Sequence, residues 1–426
     1  MLRAIVGINW GDEGKGRMVD LLSSGCKAVV RYQGGNNAGH TVVNERGRFV
    51  LNLLPSGILR EGVVNVMGPG MVIDLEHLWG EIIRLREAGV AVTPENLKIS
   101  DRAVICPPYD RQQDILEEER LGAAAYGSTR RGIAPVYGDK YLKKALRMGE
   151  LDDPDALSRR LQDIVRWKSL TFTGVYGAPP LTPQPVWEWL MHFGQPLLPF
   201  VCDTGRYLDE LARRGDDVLF EAQLGALRDI DYGIYPYTSS SSTLAAYAPI
   251  GAGVPGRQLD RVIGVLKAYS TCVGEGPFPV ELLGEAGDAL RQSGGEYGAA
   301  TGRPRRVGPF DAVASRYGVR VQGAHELALT KLDVLSDLAE IPVCTAYRID
   351  GRETADFPMG SALDRAEPVY TALPGWNLPI GHCRRLEELP PQAIAYVDFI
   401  ERLVGCPITY LSVGPEREQY IERGRS

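Results

Sequence analysis

Long apolar runs are missing from this chain. Nothing in it approaches the roughly 18 consecutive apolar residues that a membrane-spanning helix needs, so no membrane partner is expected. An excess of positive charge is missing too. With 47 Lys and Arg against 54 Asp and Glu, the formal net charge is -7, which leaves a general nucleic-acid binder without its electrostatic footprint. The basic run at Arg303, Arg305 and Arg306 is therefore local and better matched to a small anion. Cysteine and histidine are sparse and scattered. The seven cysteines (Cys26, Cys106, Cys202, Cys272, Cys344, Cys383 and Cys406) include no CxxC pair, and the five histidines form no cluster along the chain. This pattern fits neither a disulfide framework nor a zinc site, and a reducing cytoplasm is the expected compartment. The opening residues also lack the charged region, apolar stretch and cleavage site of a signal peptide. Repeats, low-complexity tracts and flexible linkers are absent as well.

What is present is ordinary globular composition, 44% hydrophobic and 24% charged over 426 residues, enough to bury a large core. The patterning predicts an α/β fold: a single large P-loop-like domain over residues 1–426, with a central mostly parallel sheet, flanking helices and insertions. Leu2 to Ile8 is a short apolar run feeding a glycine loop, and apolar Met18, Val19, Leu21 and Leu22 follow at helical spacing. Ala28 to Tyr32 reads as the next strand. Leu75, Leu78, Ile82 and Leu85 predict a helix over 74–87, stopped by Gly89. Residues 114–189 read as largely helical, broken by prolines near 178–185. Val218 to Phe220, Ile341 to Ala346 and Ile408 to Val413 read as further buried strands.

Two loops carry the chemistry. Gly11 to Gly16 reads Gly-Asp-Glu-Gly-Lys-Gly, and Gly34 to Thr41 reads Gly-Gly-Asn-Asn-Ala-Gly-His-Thr. Glycine lets backbone amides approach phosphate oxygens, while Asp12, Lys15 and His40 add an acid, an amine and an imidazole. A strand, a glycine loop and a helix N-terminus in succession form an anion site. The first loop is not a Walker A motif, because its glycine spacing differs and Arg17 follows Gly14-Lys15-Gly16. The plain structural alternative is a tight turn in which Asp12 or Glu13 caps the following helix.

The chain resembles the adenylosuccinate synthetase family. The resemblance runs through the first loop, Val29 to His40 (VVRYQGGNNAGH), Leu53 to Leu59 (LLPSGIL), Asp229-Ile230-Asp231, Tyr235-Pro236-Tyr237 and Lys267-Ala268-Tyr269. It continues through Val273 to Pro279 (VGEGPFP), Thr301 to Arg306 (TGRPRR), Thr330 to Leu335 (TKLDVL) and Gly414 to Arg417 (GPER). Each match is short, but their number and order are specific.

The resemblance implies GTP-dependent ligation of IMP and L-aspartate through 6-phosphoryl-IMP. It makes Asp12 the base that takes the N1 proton and His40 the donor to the phosphates. It gives GTP to Gly11, Glu13, Gly14, Lys15, Gly16, Thr41, Lys331, Asp333, Gly414 and Pro415. IMP falls to Asn37, Thr129, Lys143, Gln223, Ser239 and Val273, and aspartate to Thr301, Arg303 and Arg305. The guanidinium forks suit carboxylates, and Asp333 suits the N1–H and exocyclic amine of guanine. Mg²⁺ falls to Asp12 and the Gly39 carbonyl, with phosphate oxygens completing its shell. A homodimer is implied, with Lys143 reaching the neighbouring subunit's IMP phosphate.

Several positions depart from the family pattern. The family reads Glu-Gly-Ala-Gln-Gly before Thr-Leu-Leu-Asp-Ile-Asp, whereas this chain reads Glu221-Ala222-Gln223-Leu224-Gly225-Ala226-Leu227-Arg228-Asp229. Leu224 thus falls on a glutamine that contacts the IMP base. Lys143 and Cys272 replace arginines, Ala300 a threonine, Asn9 a glutamine and Arg130 a glycine. These changes keep two alternatives open: a paralogous GTP-dependent C–N ligase for another purine nucleotide or amino acid, and a non-catalytic GTP-binding homologue.

Overall fold

The computed structural model describes residues 1–44, 47–298, 302 and 304–424, with the side chains of 41–44 and 48 left aside. Thr301 and Arg303, expected at the aspartate subsite, and Ala300 lie outside the described residues, as does the Thr41 side chain.

Ten strands form the central sheet. Their order across it is Tyr420–Glu422, Ile408–Ser412, Glu326–Thr330, Arg261–Lys267, Leu2–Gly7, Val218–Glu221, Ala28–Arg31, Val64–Met67, Leu97–Ser100 and Val201–Cys202. Every pairing is parallel except the Tyr420–Glu422 edge, which runs antiparallel. Leu2–Gly7 lies in the middle, and the chain winds outward from it in both directions. That reversal places ligand loops beyond the carboxyl ends of the strands. Ala4, Ile5, Val6, Val29, Val30, Leu219, Phe220 and Val265 are all fully buried, as continuous apolar runs in a sheet covered on both faces require.

The first helix spans Lys15–Leu22. Gly14 precedes it in the left-handed region, with φ 97°, and no side chain caps it. The Glu13 carboxylate is spent on Asn9, Gly11 and Lys15 and that of Asp12 lies against Arg305, so neither takes the capping role considered for it. The helix at Leu75–Glu87 is capped by Asp74, which accepts from the His77 amide at 3.1 Å. The helical stretch resolves into Pro108–Leu121, Ile133–Tyr141, Pro154–Tyr176 and Pro183–Gly194.

One expected strand belongs elsewhere. Ile341 to Ala346 lies in Glu340–Ile349, which pairs with Phe310–Asp311, Arg352–Thr354 and Glu367–Pro374 in a separate four-stranded sheet. An apolar run signals burial, not which sheet the strand joins.

The helical region is pinned from inside. Lys168 is only 1% exposed and pairs with Asp110 at 2.7 Å and also with Asp139. Burial pushes Asp110 up to about 8 against the pull of Lys168. Lys168→Met leaves two carboxylates buried without a counter-charge, and is expected to lower stability by about 3–5 kcal/mol. A urea melt whose midpoint is unchanged would show that the triad contributes nothing.

Candidate active site

The first loop is braced by its own acid. Glu13, 3% exposed, accepts from the amides of Asn9 at 3.1 Å and Gly11 at 2.8 Å, and its other oxygen holds Lys15 at 2.6 Å. The Thr330 hydroxyl donates to the Glu13 carbonyl at 2.6 Å. Thr330 ends the Glu326–Thr330 strand, so the Lys331–Asp333 turn is fastened to the first glycine loop. A Cβ on Gly14 would meet the Thr330 side chain at 3.3 Å, and one on Gly16 would meet the His40 ring at 2.9 Å. Glycine at 16 is what lets the imidazole lie against the helix start.

His40 opens the Nε2 side of its ring to the Ser56 hydroxyl at 2.8 Å, and the Glu221 carboxylate stands 3.5 Å away. Glu221 in turn accepts from the Ser56 hydroxyl at 2.7 Å and the Ser56 amide at 2.8 Å. Burial pushes the His40 pKa down to about 4, with Glu221 opposing and Arg31 and Lys15 assisting. The ring is therefore neutral at neutral pH and can donate from one nitrogen.

Asp12 sits in the left-handed region with φ 60°, and its carboxylate lies 2.9 Å from Arg305 Nε. Arg305 is also fixed at 2.7 Å by Glu296, a fully buried carboxylate. Glu296 is a hub. Lys267 reaches it at 2.9 and 3.0 Å, the Tyr269 hydroxyl at 2.5 Å and Lys331 at 3.5 Å. Burial alone would raise its pKa, but Lys267, Lys331 and Arg305 together outweigh that and hold it at about 2. Lys331 additionally donates to the Gly294 carbonyl. Asp333 is half-buried, and burial raises its pKa. Arg17 closes the far side of the Lys331–Asp333 region, donating to Ser412 at 2.6 Å and to the Gly414 carbonyl, while Pro415 beyond it is exposed.

On the opposite flank, the second glycine loop is tied to Gln223. This side chain, 4% exposed, donates to the carbonyls of Gly35 at 2.7 Å and Asn52 at 3.2 Å. A Cβ on Gly34 would lie 1.9 Å from its oxygen. Gln223 is thus committed to the loop, and Leu224, with φ 60°, turns its backbone against Gly11. Asn37 accepts from the Gly35 amide at 3.2 Å.

The serine run is an ordered turn. Buried Asp229 accepts from the amides of Asp231 and Tyr232 at 3.0 Å, from Thr243 at 2.6 Å and from the Ser242 hydroxyl at 3.1 Å. Ser239 is half-buried within it. Thr129 and Lys143 are both exposed, in segments flanking the Ile133–Tyr141 helix, and Val273 is 45% exposed.

Sequence reading missed Glu296, Arg228, Ser56 and Glu221. Each acts through partners far along the chain, which local patterns do not register.

Asp12 and the Gly39 carbonyl offer hard oxygen ligands. No group of three or more His, Cys, Asp or Glu among the described residues is arranged to hold a metal. That donor set suits an ion sharing its shell with phosphate and water, as Mg²⁺ does. No helix among them is long and apolar enough to cross a membrane.

A mostly parallel sheet whose strand ends carry two glycine loops, an imidazole, a carboxylate and a Thr-Lys-Leu-Asp turn defines a purine-nucleotide enzyme of the α/β class. The adenylosuccinate synthetase profile matches residues 4–421. Adenylosuccinate synthetase 2 of Pseudoalteromonas translucida is 48% identical, over 98% of this chain and 99% of its own. That of Thermosynechococcus vestitus is 46% identical, over 98% and 93%. A fully ligated Plasmodium falciparum adenylosuccinate synthetase superposes with a TM-score of 0.93 at 32% identity, covering 99% of this chain and all of that one. The chain belongs to the adenylosuccinate synthetase family.

Proposed function

We propose that this chain joins IMP and L-aspartate at the expense of GTP, yielding adenylosuccinate, GDP and phosphate on the route to AMP, with residues 1–426 acting as one unit in the cytoplasm. The observation that carries this reading is the meeting of Asp12, His40 and the Thr330–Asp333 turn around one uncapped helix N-terminus. The hypoxanthine O6 is a poor leaving group. Asp12 takes the N1 proton, charge builds on O6, and O6 attacks the γ-phosphate. Neutral His40 donates to the phosphate oxygens as that charge develops, with its ring proton on Nδ1 and the Ser56 hydroxyl turned from Glu221 to donate to Nε2. The aspartate amine then attacks C6 and phosphate departs. Mg²⁺, when held by Asp12 and the Gly39 carbonyl, neutralises phosphate charge.

Gly11, Glu13, Gly14, Lys15, Gly16 and Thr41 serve the GTP phosphates, and Lys331, Asp333, Gly414 and Pro415 its base. Asn37, Thr129, Lys143, Gln223, Ser239 and Val273 serve IMP, with Gln223 acting by shaping the loop. Thr301, Arg303 and Arg305 hold aspartate. A homodimer is supported by Tyr141 and Leu142, 77% and 59% exposed beside Lys143.

Incubation of the purified protein with IMP, GTP, Mg²⁺ and aspartate tests the reading. Formation of adenylosuccinate is expected, and its absence beside an active control enzyme overturns it. Leu224 favours a second reading, a related ligase for another purine nucleotide. Product from such a nucleotide but not from IMP decides for it. Asp333→Asn is expected to cut kcat/KM for GTP by about 10- to 100-fold, since hydrogen bonds to a charged group contribute about 1.5–3 kcal/mol. The carboxamide also gains a donor toward the xanthine 2-oxo group. The ratio of GTP to xanthosine triphosphate turnover reads the shift, and an unchanged ratio rejects the assignment.

A further inference from the structure

Arg228 is 8% exposed, and its guanidinium faces four main-chain or sulfur acceptors on two separate loops. It donates to the carbonyl of Tyr237, to the carbonyls of Val273 and Glu275 (the latter at 3.3 Å), and to Cys272 Sγ at 3.1 Å. Its own carbonyl accepts from the Ser239 amide at 2.9 Å. A third loop closes on the same place. A Cβ on Gly274 would lie 3.7 Å from Arg228 Nη2 and 3.8 Å from the Gly127 carbonyl, and one on Gly127 would meet the Glu275 amide nitrogen at 3.2 Å. Segments 237–239 and 273–275 therefore meet at one guanidinium, and Gly127 packs against the second of them. Arg306 grips the outer side of the last of them, donating to the Gly276 carbonyl at 2.7 Å.

Two departures from the family pattern coincide here. Arg228 stands where that pattern has leucine, and its neighbour Cys272 stands where it has arginine. A cation has been given up on one strand and supplied from the facing turn. Burying two guanidinium groups against one sulfur-sized space would leave charge unpaired, so the two changes fit each other.

We infer that Arg228 is a positioning residue for the nucleotide subsite, and that Cys272 is its required partner. It sets the relative placement of Ser239 and Val273 without touching the substrate. The inference rests on the assignment of those two residues to IMP. Because only the planar fork reaches carbonyls on both loops, lysine does not substitute for it.

The test uses the full-length protein with IMP, GTP, aspartate and Mg²⁺, comparing Arg228→Leu, Arg228→Lys and the double variant Arg228→Leu/Cys272→Arg. Both single variants are expected to raise KM for IMP about tenfold or more, the loss that charged hydrogen bonds imply. KM for GTP is expected to stay within about twofold. The double variant is expected to return KM for IMP toward the parent value. Equal rises for IMP and GTP mean a general folding role and overturn the inference, as does an unchanged KM for IMP or a double variant no better than the singles. Hydrogen exchange of the 237–239 and 273–275 amides separates this from the functional reading. Faster exchange in both segments of Arg228→Lys supports the positioning role even if the parent protein makes no adenylosuccinate, and parent-like exchange removes it.

Discussion

Asp12→Asn is expected to lower kcat by about 10²- to 10⁴-fold, the range spanned by a positioned general base, with a much smaller change in KM for IMP. Asparagine is the informative replacement. It keeps the shape of aspartate and tolerates the left-handed backbone that residue 12 adopts, at φ 60°. A loss of activity therefore reports the missing carboxylate and not a collapsed loop. The variant also loses the 2.9 Å pairing with Arg305, but Arg305 stays anchored at 2.7 Å by Glu296. Single-turnover measurement of phosphate release from GTP is the direct readout. A kcat within about threefold of the parent would be incompatible with proton transfer at this position.

His40→Asn is expected to cost about 10²- to 10³-fold in kcat, as removal of one donor to a developing oxyanion does. The packing around it predicts little collateral damage, since Ser56 keeps its hydrogen bonds to Glu221 at 2.7 and 2.8 Å. The pH dependence gives a second check. Burial holds the His40 pKa at about 4 in the folded protein, below the ordinary value near 6.5. Between those values the unfolded chain binds the extra proton, so this residue's contribution to stability rises with pH there and is complete above about 6.5. The parent is accordingly expected to lose stability as pH falls from about 6.5 toward 4, and His40→Asn to lose less. In the rate profile no ionisation near 6.5 should belong to His40. Identical acid melts for the two proteins would exclude this environment for the ring.

Much of the site was legible because it is written in short contiguous loops. Gly14-Lys15-Gly16 after an apolar strand can do little else than turn a chain into a helix start, and the observed helix begins at Lys15. The strand-loop-helix reading of Leu2 to Leu22 carried over with shifts of one or two residues at the ends. What was illegible lies in non-local geometry. Glu296 sits in an unremarkable Gly-Gly-Glu-Tyr-Gly stretch, and its importance comes from Lys267, Arg305 and Lys331 converging on it. Gln223 is assigned to IMP beside Leu224, which holds the motif's base-contact position, yet its amide is spent on the Gly35 and Asn52 carbonyls. Ile341 to Ala346 reads correctly as a buried strand, but nothing in its residues says that its neighbours are Phe310–Asp311 and Glu367–Pro374.

Seven non-glycine residues among those described hold a positive φ, and five of them (Asp12, Arg130, Lys143, Leu224 and Lys331) belong to the loops discussed above. Each such residue carries on the order of 1 kcal/mol of conformational strain. Backbone strain is therefore gathered around the candidate site. Glycine there would relieve it locally while giving the unfolded chain more freedom to lose, so directed evolution for heat tolerance would gain little from glycine at these five positions.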